Sequence, residues 1–479
     1  MSGPGSRRPG DRIIRRRLQA TQVIDLPAAP ERQSVPNVRR HAKLFALGLL
    51  LLVVTAGALL TLPWFSRDGE WTPFIDALFT AVSATCVTGL TVVDTRDHWN
   101  FAGQLLIIAL IQVGGLGFMV GASLLLRALQ RGASSLRDTL LLQDGAPTLS
   151  LREAAELSGR IVRFTFMMEG IGAVVLAIRS AFDEPLHLAV WKGVFHSIAA
   201  FCNAGFDLQG GFQSIRGYDD SLVINVMLIV LIQAGSLSYL FFADIALRRR
   251  FRRLTIESKI ILIMNALLLL ISTGVFLGAE WNASLADVPI VDRPLVSLFQ
   301  SVSARTAGFA TIDFGSATDI TLFVWVAVMF VGGASGSAAG GVKLTTVGVV
   351  GLAVFSTVRG QMEPQVFGRR IPTALVFRAM AVIAIMFVVH FFATLALVLI
   401  EHLTGGDLRF IDILFETTSA IATVGVTTGI TASLSDPAKL VLCITMLFGR
   451  LGPLTVVYAL QLRQQVVRYK FPEAPVRIG

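Results

Sequence analysis

Thr423-Val424-Gly425-Val426 decides how this chain is read, because three other turns repeat its form: Val87-Thr88-Gly89-Leu90, Asn203-Ala204-Gly205-Phe206 and Thr306-Ala307-Gly308-Phe309. Each ends a short apolar run and lies between two hydrophobic stretches long enough to cross a bilayer. Glycine permits backbone dihedrals that a Cβ resists, and it lets four backbones approach one axis with their carbonyls inward. The pattern predicts four copies of a helix, re-entrant loop, helix unit, which is the layout of a cation pore. One glycine in a loop between membrane helices would say little. Four at matched positions, spaced by about a hundred residues, mark an internal repeat.

The runs ahead of the turns share a template beyond the glycine. They read Leu78-Phe79 followed by Ser83-Ala84, Val194-Phe195-His196-Ser197, Leu298-Phe299-Gln300-Ser301, and Leu414-Phe415-Glu416-Thr417-Thr418-Ser419. A short helix aiming its C-terminal end at the axis places a negative partial charge where a cation sits. Backbone carbonyls of the turns can then replace the water that a K⁺ ion sheds. No carboxylate occurs within the four turns, and none is needed.

Composition places the protein in a membrane. Hydrophobic residues make up 54%, charged residues only 15%, and mean hydropathy is +0.69, against roughly 25% charge in a soluble domain. The reading is an all-α polytopic membrane protein with eight transmembrane helices and four fused repeats around a pseudo-fourfold pore. A flexible cytoplasmic arm covers 1–42, repeat 1 covers 43–128, and a connector with repeat 2 covers 129–247. Repeat 3 covers 248–357, repeat 4 covers 358–463, and a tail covers 464–479. All units run the same way about an axis along the membrane normal, a parallel repeat.

A net charge of +9 would suit a nucleic-acid partner, but the placement of the charges excludes it. Basic residues concentrate in the arm, at 127–137, 248–253 and 369–370, and near the C-terminus, always beside a spanning stretch. Taken as cytoplasmic, these blocks put the N-terminus inside the cell and the glycine turns outside. Acidic residues such as Asp94, Asp97, Asp207 and Asp313 fall on the outward segments. No signal peptide is evident. Cys86 and Cys202 each stand three residues before a turn glycine, but three cysteines build no disulfide framework, and no histidine pair has metal-ligand spacing. The chain contains no nucleotide-binding fold and implies no organic cofactor.

These residues resemble the Trk/Ktr/HKT superfamily of potassium transporters, and within it the Ktr-type membrane subunit, over about residues 40–470. The marks are the four turns, Gly332-Gly333-Ala334-Ser335-Gly336-Ser337-Ala338-Ala339-Gly340-Gly341-Val342-Lys343, and Gly449-Arg450-Leu451-Gly452-Pro453-Leu454-Thr455. A count of eight spans favours Ktr over the similar Trk proteins, which carry an extra N-terminal pair. The resemblance implies K⁺ uptake across a bacterial inner membrane, a homodimer, and a separate cytoplasmic ring of Ktr-type regulatory subunits that binds ATP or ADP. It also implies a gating loop at 332–343 under the filter and a positive barrier at Arg450.

The residues support parts of this independently. So many Gly, Ser and Ala in 332–343 break a helix, which is tolerated at membrane depth only inside protein or along a wet cavity; close packing of small residues is the alternative. Lys343 either snorkels to the cytoplasmic face or joins the gate. Arg450 lies within an apolar stretch, where an ionised side chain costs roughly 2.5–3.5 kcal/mol, so it faces the pore or marks the helix's cytoplasmic end. Arg305 precedes the third turn and is expected behind it, paired with Glu416 or Asp313. None of the turns carries a complete Thr-Val-Gly-Tyr-Gly, so preference for K⁺ over Na⁺ is expected to be moderate and Na⁺ an accepted ion. The inner stretch of repeat 2, with Gln233-Ala234-Gly235-Ser236-Leu237-Ser238, differs from that of repeat 1, and only repeat 3 is expected to hold a broken helix.

Two other function classes remain. A secondary transporter of another cation or a small solute needs a midplane pocket on broken helices, and would leave the four turns unused. A membrane enzyme needs a clustered nucleophile, acid or metal set, which the spacing of His98, His196, His390 and His402 does not supply.

Overall fold

The computed structural model describes residues 38–131, 151–218, 220–361 and 363–462. The expected arm before residue 38, the connector at 132–150 and the tail from 463 lie outside them. The chain divides into Met1–Ala46 and Leu47–Gly479, and the second unit carries the architecture.

It is a helical bundle in which long and short helices alternate. In the division into repeats expected from the sequence, repeat 1 would hold α1 (Val38–Leu60), α2 (Phe74–Cys86), α3 (Thr95–His98) and α4 (Phe101–Arg131). Repeat 2 would hold α5 (Leu151–Ser180), α6 (Leu186–Phe201), α7 (Leu222–Ser236) and α8 (Tyr239–Arg248). Repeat 3 would hold α9 (Ile256–Ala279), α10 (Arg293–Ser303), α11 (Asp319–Phe330) and α12 (Leu344–Val358). A two-residue hairpin, β1 (Gln365–Val366) with β2 (Arg369–Arg370), leads to α13 (Thr373–Thr404), α14 (Phe410–Ala422) and α15 (Asp436–Leu462).

Surfaces divide as a bilayer requires. Exposed Phe377, Phe387, Phe391, Leu395 and Leu399 line one side of α13, and Leu267, Leu270 and Ile271 line α9, whereas α2, α6, α10 and α14 bury most of their length. Buried helices need apolar or self-satisfied faces all round, and Phe79, Phe195, Phe299 and Phe415 of the repeated template are each 0% exposed. Among the described residues, four helices are long and apolar enough to cross a membrane, or five when α7 and α8 count as one bent span.

Two inner stretches are broken, where one was expected. α11 and α12 are separated by the loop 331–343, and α7 meets α8 at 94°. The second break has a local cause. Ser238 adopts φ +71, and the carbonyls of Gly235 and Ser236 accept hydrogen bonds from Ala338 and Ala334 N–H, at 3.1 and 2.8 Å, instead of continuing a helix.

Candidate ion pathway

The four turns meet one another. A Cβ built on Gly89 would fall closer than 3.0 Å to the Ala204 carbonyl, on Gly205 to that of Ala307, on Gly308 to that of Val424, and on Gly425 to that of Thr88. Each glycine therefore packs on the residue before the next glycine, and the series closes on itself in chain order. Only glycine fits there, since φ is +96, +68, +83 and +94 in turn.

Sequence reading missed a second left-handed residue in every turn. Val87, Asn203, Thr306 and Thr423, two positions before the glycines, have φ of 57, 62, 68 and 50. A non-glycine residue held there costs on the order of 1–3 kcal/mol, so the surrounding packing must impose it. Left-handed residues on either side of an ordinary one flip successive peptide planes, which brings neighbouring carbonyls to the same side. The short helices start this geometry: α2 and α14 end in left-handed caps at Val87 and Thr423. There Thr88 and Val424 N–H bond back to the Ser83 and Ser419 carbonyls, both at 2.8 Å.

The shared template acts through particular atoms. Ser83 and Ser419 hydroxyls accept the N–H of Gly89 and Gly425 at 3.1 and 3.0 Å. The residue after the template Phe ties down the segment beyond the turn: His196 Nε2 accepts Leu208 N–H at 3.1 Å, Gln300 donates to Thr311 Oγ1 at 2.7 Å, and the Glu416 carboxylate accepts the Thr431 hydroxyl. The third turn departs from the rest because one residue fewer separates Phe299 from Gly308, so Ala307 N–H bonds Ser303 four residues back, where the other turns reach five.

Several buried polar atoms here have no protein partner. They include Oγ1 of Thr88, Thr306 and Thr423 and both polar atoms of the Asn203 side chain. Buried polar groups are nearly always bonded, so orphans gathered at one ring fit a place where a dehydrated ion or water completes them.

Outside the ring, the segments after the turns are laced together. Arg96 donates to Gln209 O at 2.8 Å, Gly211 and Phe212 N–H bond Asp97 and Asp94 at 2.8 Å each, and Arg216 pairs with Asp313 at 3.0 Å. Asp207 follows the second turn. Burial, with Asp94 and Asp97 nearby, pushes its carboxyl up to about 7 against the pull of the Gln209 N–H and Lys192.

Arg305 is fully buried, as expected, but its partner is not a carboxylate. Its Nη1 donates to Asn265 Oδ1 on α9, and Asn265 reaches Gln233 on α7 at 3.4 Å. Glu416 is turned to Thr431, and Asp313 to Arg216 and Gly315 N–H. Both candidate acids are engaged with other partners.

The segment 332–343 is a buried non-helical loop and not a pair of close-packed helices. Gly332 N–H bonds Val342 O at 2.9 Å, pinching its neck, and Ala334, Ser337, Ala338 and Ala339 are at most 1% exposed. Its far end touches the ring, for a Cβ on Gly340 would collide with the Thr423 hydroxyl and the Ala422 carbonyl. Lys343 does not snorkel. Its Nζ turns back to the Ala339 carbonyl and lies 3.4 Å from Gly340 O. Arg450, 2% exposed, donates to Ala338 O and to Gly114 O at 3.3 Å.

Long apolar helices with outward apolar faces, around four glycine turns that pack on one another, fit the class of polytopic membrane transporters. The chain belongs to the TrkH family of cation transport proteins, whose family model matches residues 51–466. It is 36% identical over 447 residues to the potassium/sodium uptake protein NtpJ of Enterococcus hirae, covering 91% of this chain and 97% of that relative. It is 34% identical over 442 residues to the Ktr system potassium uptake protein B of Bacillus subtilis, covering 91% and 96%. The crystal structure of the potassium transporter TrkH from Vibrio parahaemolyticus shares the fold, with a TM-score of 0.68 over 92% of this chain and 88% of that one at 20% identity. The chain is accordingly a multi-pass transporter and not an enzyme.

Proposed function

We propose that this chain is the membrane subunit of a bacterial K⁺ uptake system, with the four turns as its selectivity filter and 332–343 as its gate. The closed ring of Gly89, Gly205, Gly308 and Gly425 carries the reading, because such packing has no use in a transporter of organic solutes. The names of the Enterococcus and Bacillus relatives support K⁺ as cargo, and the first supports Na⁺ as a second accepted ion.

In this reading, K⁺ enters between the acidic outer segments and sheds water. It is coordinated by carbonyls around Val87-Thr88-Gly89-Leu90 and its three counterparts, and leaves past the loop. The Thr306 and Thr423 hydroxyls and the Asn203 side chain add oxygens at the inner end. Eight spans arranged as four repeats, an N-terminus inside the cell, a homodimer in lipid and a cytoplasmic nucleotide-binding regulatory ring complete the proposal. The two breaks, at 237–238 and 331–343, leave the interior side of the ring to the loop.

Liposomes holding the purified protein test this directly, with K⁺, Na⁺ and an uncharged solute compared as permeants. K⁺ should enter fastest, Na⁺ more slowly and the solute not at all. Gly308→Ser should slow K⁺ and narrow its lead over Na⁺; equal flux and preference in that variant would remove the filter assignment.

A further inference from the structure

We propose that Phe118 on α4 is the latch of the loop 332–343, a positioning residue that holds two cations in place to keep the loop under the ring. The inference rests on the gating reading above and extends it to a residue outside both quoted motifs.

Three observations converge on it. The Phe118 ring is 4% exposed, and it faces two positive groups at once: Arg450 Cζ at 4.3 Å and Lys343 Nζ at 5.5 Å from its centroid. Neither cation is in a salt bridge with a carboxylate among the described residues; their other hydrogen-bond partners are backbone carbonyls of the loop and of Gly114. The buried Arg450 and the partly buried Lys343 repel each other, and the negative face of an aromatic ring is the compensation a leucine could not offer.

The same helix grips the loop at points above and below the ring. Gly114, one turn before Phe118, accepts from Arg450, which also holds Ala338 O; Ser123, farther along, donates to Gly336 O at 3.5 Å. The loop is also tied to α7 by backbone hydrogen bonds, Ala334 and Ala338 N–H to Ser236 and Gly235 O. The hydrogen bonds to α7 are therefore independent of side chains, whereas attachment to α4 depends on Arg450, Lys343, Ser123 and the ring that faces both cations. Releasing α4 is the step that frees the loop while leaving it hinged on α7, and Phe118 sits at the centre of that contact.

The test compares Phe118→Leu, Phe118→Trp and a chain lacking residues 335–339 in liposomes without any regulatory subunit. Phe118→Leu should raise K⁺ flux roughly three- to tenfold with the K⁺ over Na⁺ preference unchanged, and Phe118→Trp should stay near the parent. In a single-cysteine background carrying Ser335→Cys, labelling by a charged thiol reagent should quicken in Phe118→Leu and not in Phe118→Trp. Should Phe118→Leu not reach the membrane, Phe118→Met is judged by the same criteria. If the shortened loop raises flux and Phe118→Leu does not, the latch is wrong and the gate stands. If the shortened loop leaves flux unchanged, the gating reading fails and the latch with it. A Phe118→Leu protein whose ion preference collapses instead would place the residue in the filter's support and also overturn the latch.

Discussion

Gly235 of α7 lies against the Phe201 carbonyl at the end of α6, so close that no Cβ fits between them. The contact recurs between Gly114 and the Thr85 carbonyl and between Gly449 and the Ile421 carbonyl. Each of these carbonyls stands four residues before its turn glycine, so three inner helices bear directly on the backbone that shapes the ring.

Gly235→Ala should consequently lower stability by about 1–3 kcal/mol, the usual effect of overpacking, and reduce discrimination between K⁺ and Na⁺. Gly274→Ala, on the membrane-facing helix α9 where nothing lies within 4 Å, should do neither. Thermal unfolding in detergent and competitive ion flux read the two effects. Equal behaviour of the two variants would mean that the contact is slack.

Arg305 sets the second expectation. Its Nε and Nη2 have no partner, and Nη1 depends on Asn265 Oδ1. Removing a partner from a buried charge costs about 3–5 kcal/mol, whereas replacing the charge itself can be neutral. Asn265→Leu should therefore destabilise more than Arg305→Gln, and the double variant should recover part of the Asn265→Leu loss. A double variant with simply additive losses would show that the two side chains do not depend on each other.

The carboxyl of Asp207 predicts a response to outside pH. Its folded value near 7 lies above the ordinary carboxylate range, chiefly through burial. A raised value means the folded state holds the proton more tightly, so stability falls as pH climbs from about 4 through 7 and levels off above. In the proposed orientation, a negative charge at the outer mouth appears over the upper end of the same window. External acidification from pH 8 to 6 should slow K⁺ uptake, and Asp207→Asn should flatten that profile and raise stability at pH 8. A steep profile surviving in Asp207→Asn would assign the titration elsewhere.

The ring and the loop were legible because each rests on residue types with few uses. Four glycines at matched positions after a repeated Phe announced the turns, and a run of small residues inside an apolar stretch announced the break at 332–343. The left-handed Val87, Asn203, Thr306 and Thr423 were not legible, since no propensity favours them and only the packed ring imposes that φ. The break at Ser238 was hidden for a related reason, as the bonds that hold it come from Ala334 and Ala338, about a hundred residues away. Arg305 was misassigned because opposite charges are the first partners one seeks in a sequence. Its neighbour is a neutral amide on α9, chosen by the packing of α9 against α10.

α15 closes onto α2 through Lys439, whose ammonium stands 2.8 Å from Asp76 at the start of α2. The two side chains are only 11% and 16% exposed, and Asp436 at 3.5 Å is a weaker second partner on the same helix turn. Burial removes the screening that makes most surface pairs weak, so Asp76→Asn, which leaves the ammonium short of its main counter-charge, should cost about 1–3 kcal/mol. That loss should change little between low and high salt. The pair between Arg370 and Glu363 at the hairpin, 64% and 38% exposed at 2.7 Å, gives the contrast: Glu363→Gln should cost about 0–1 kcal/mol and less as salt rises. A double-mutant cycle over Asp76→Asn and Lys439→Met, read by thermal unfolding in detergent, isolates the coupling. A coupling near zero would mean that the seam between α2 and α15 is held by their packing alone.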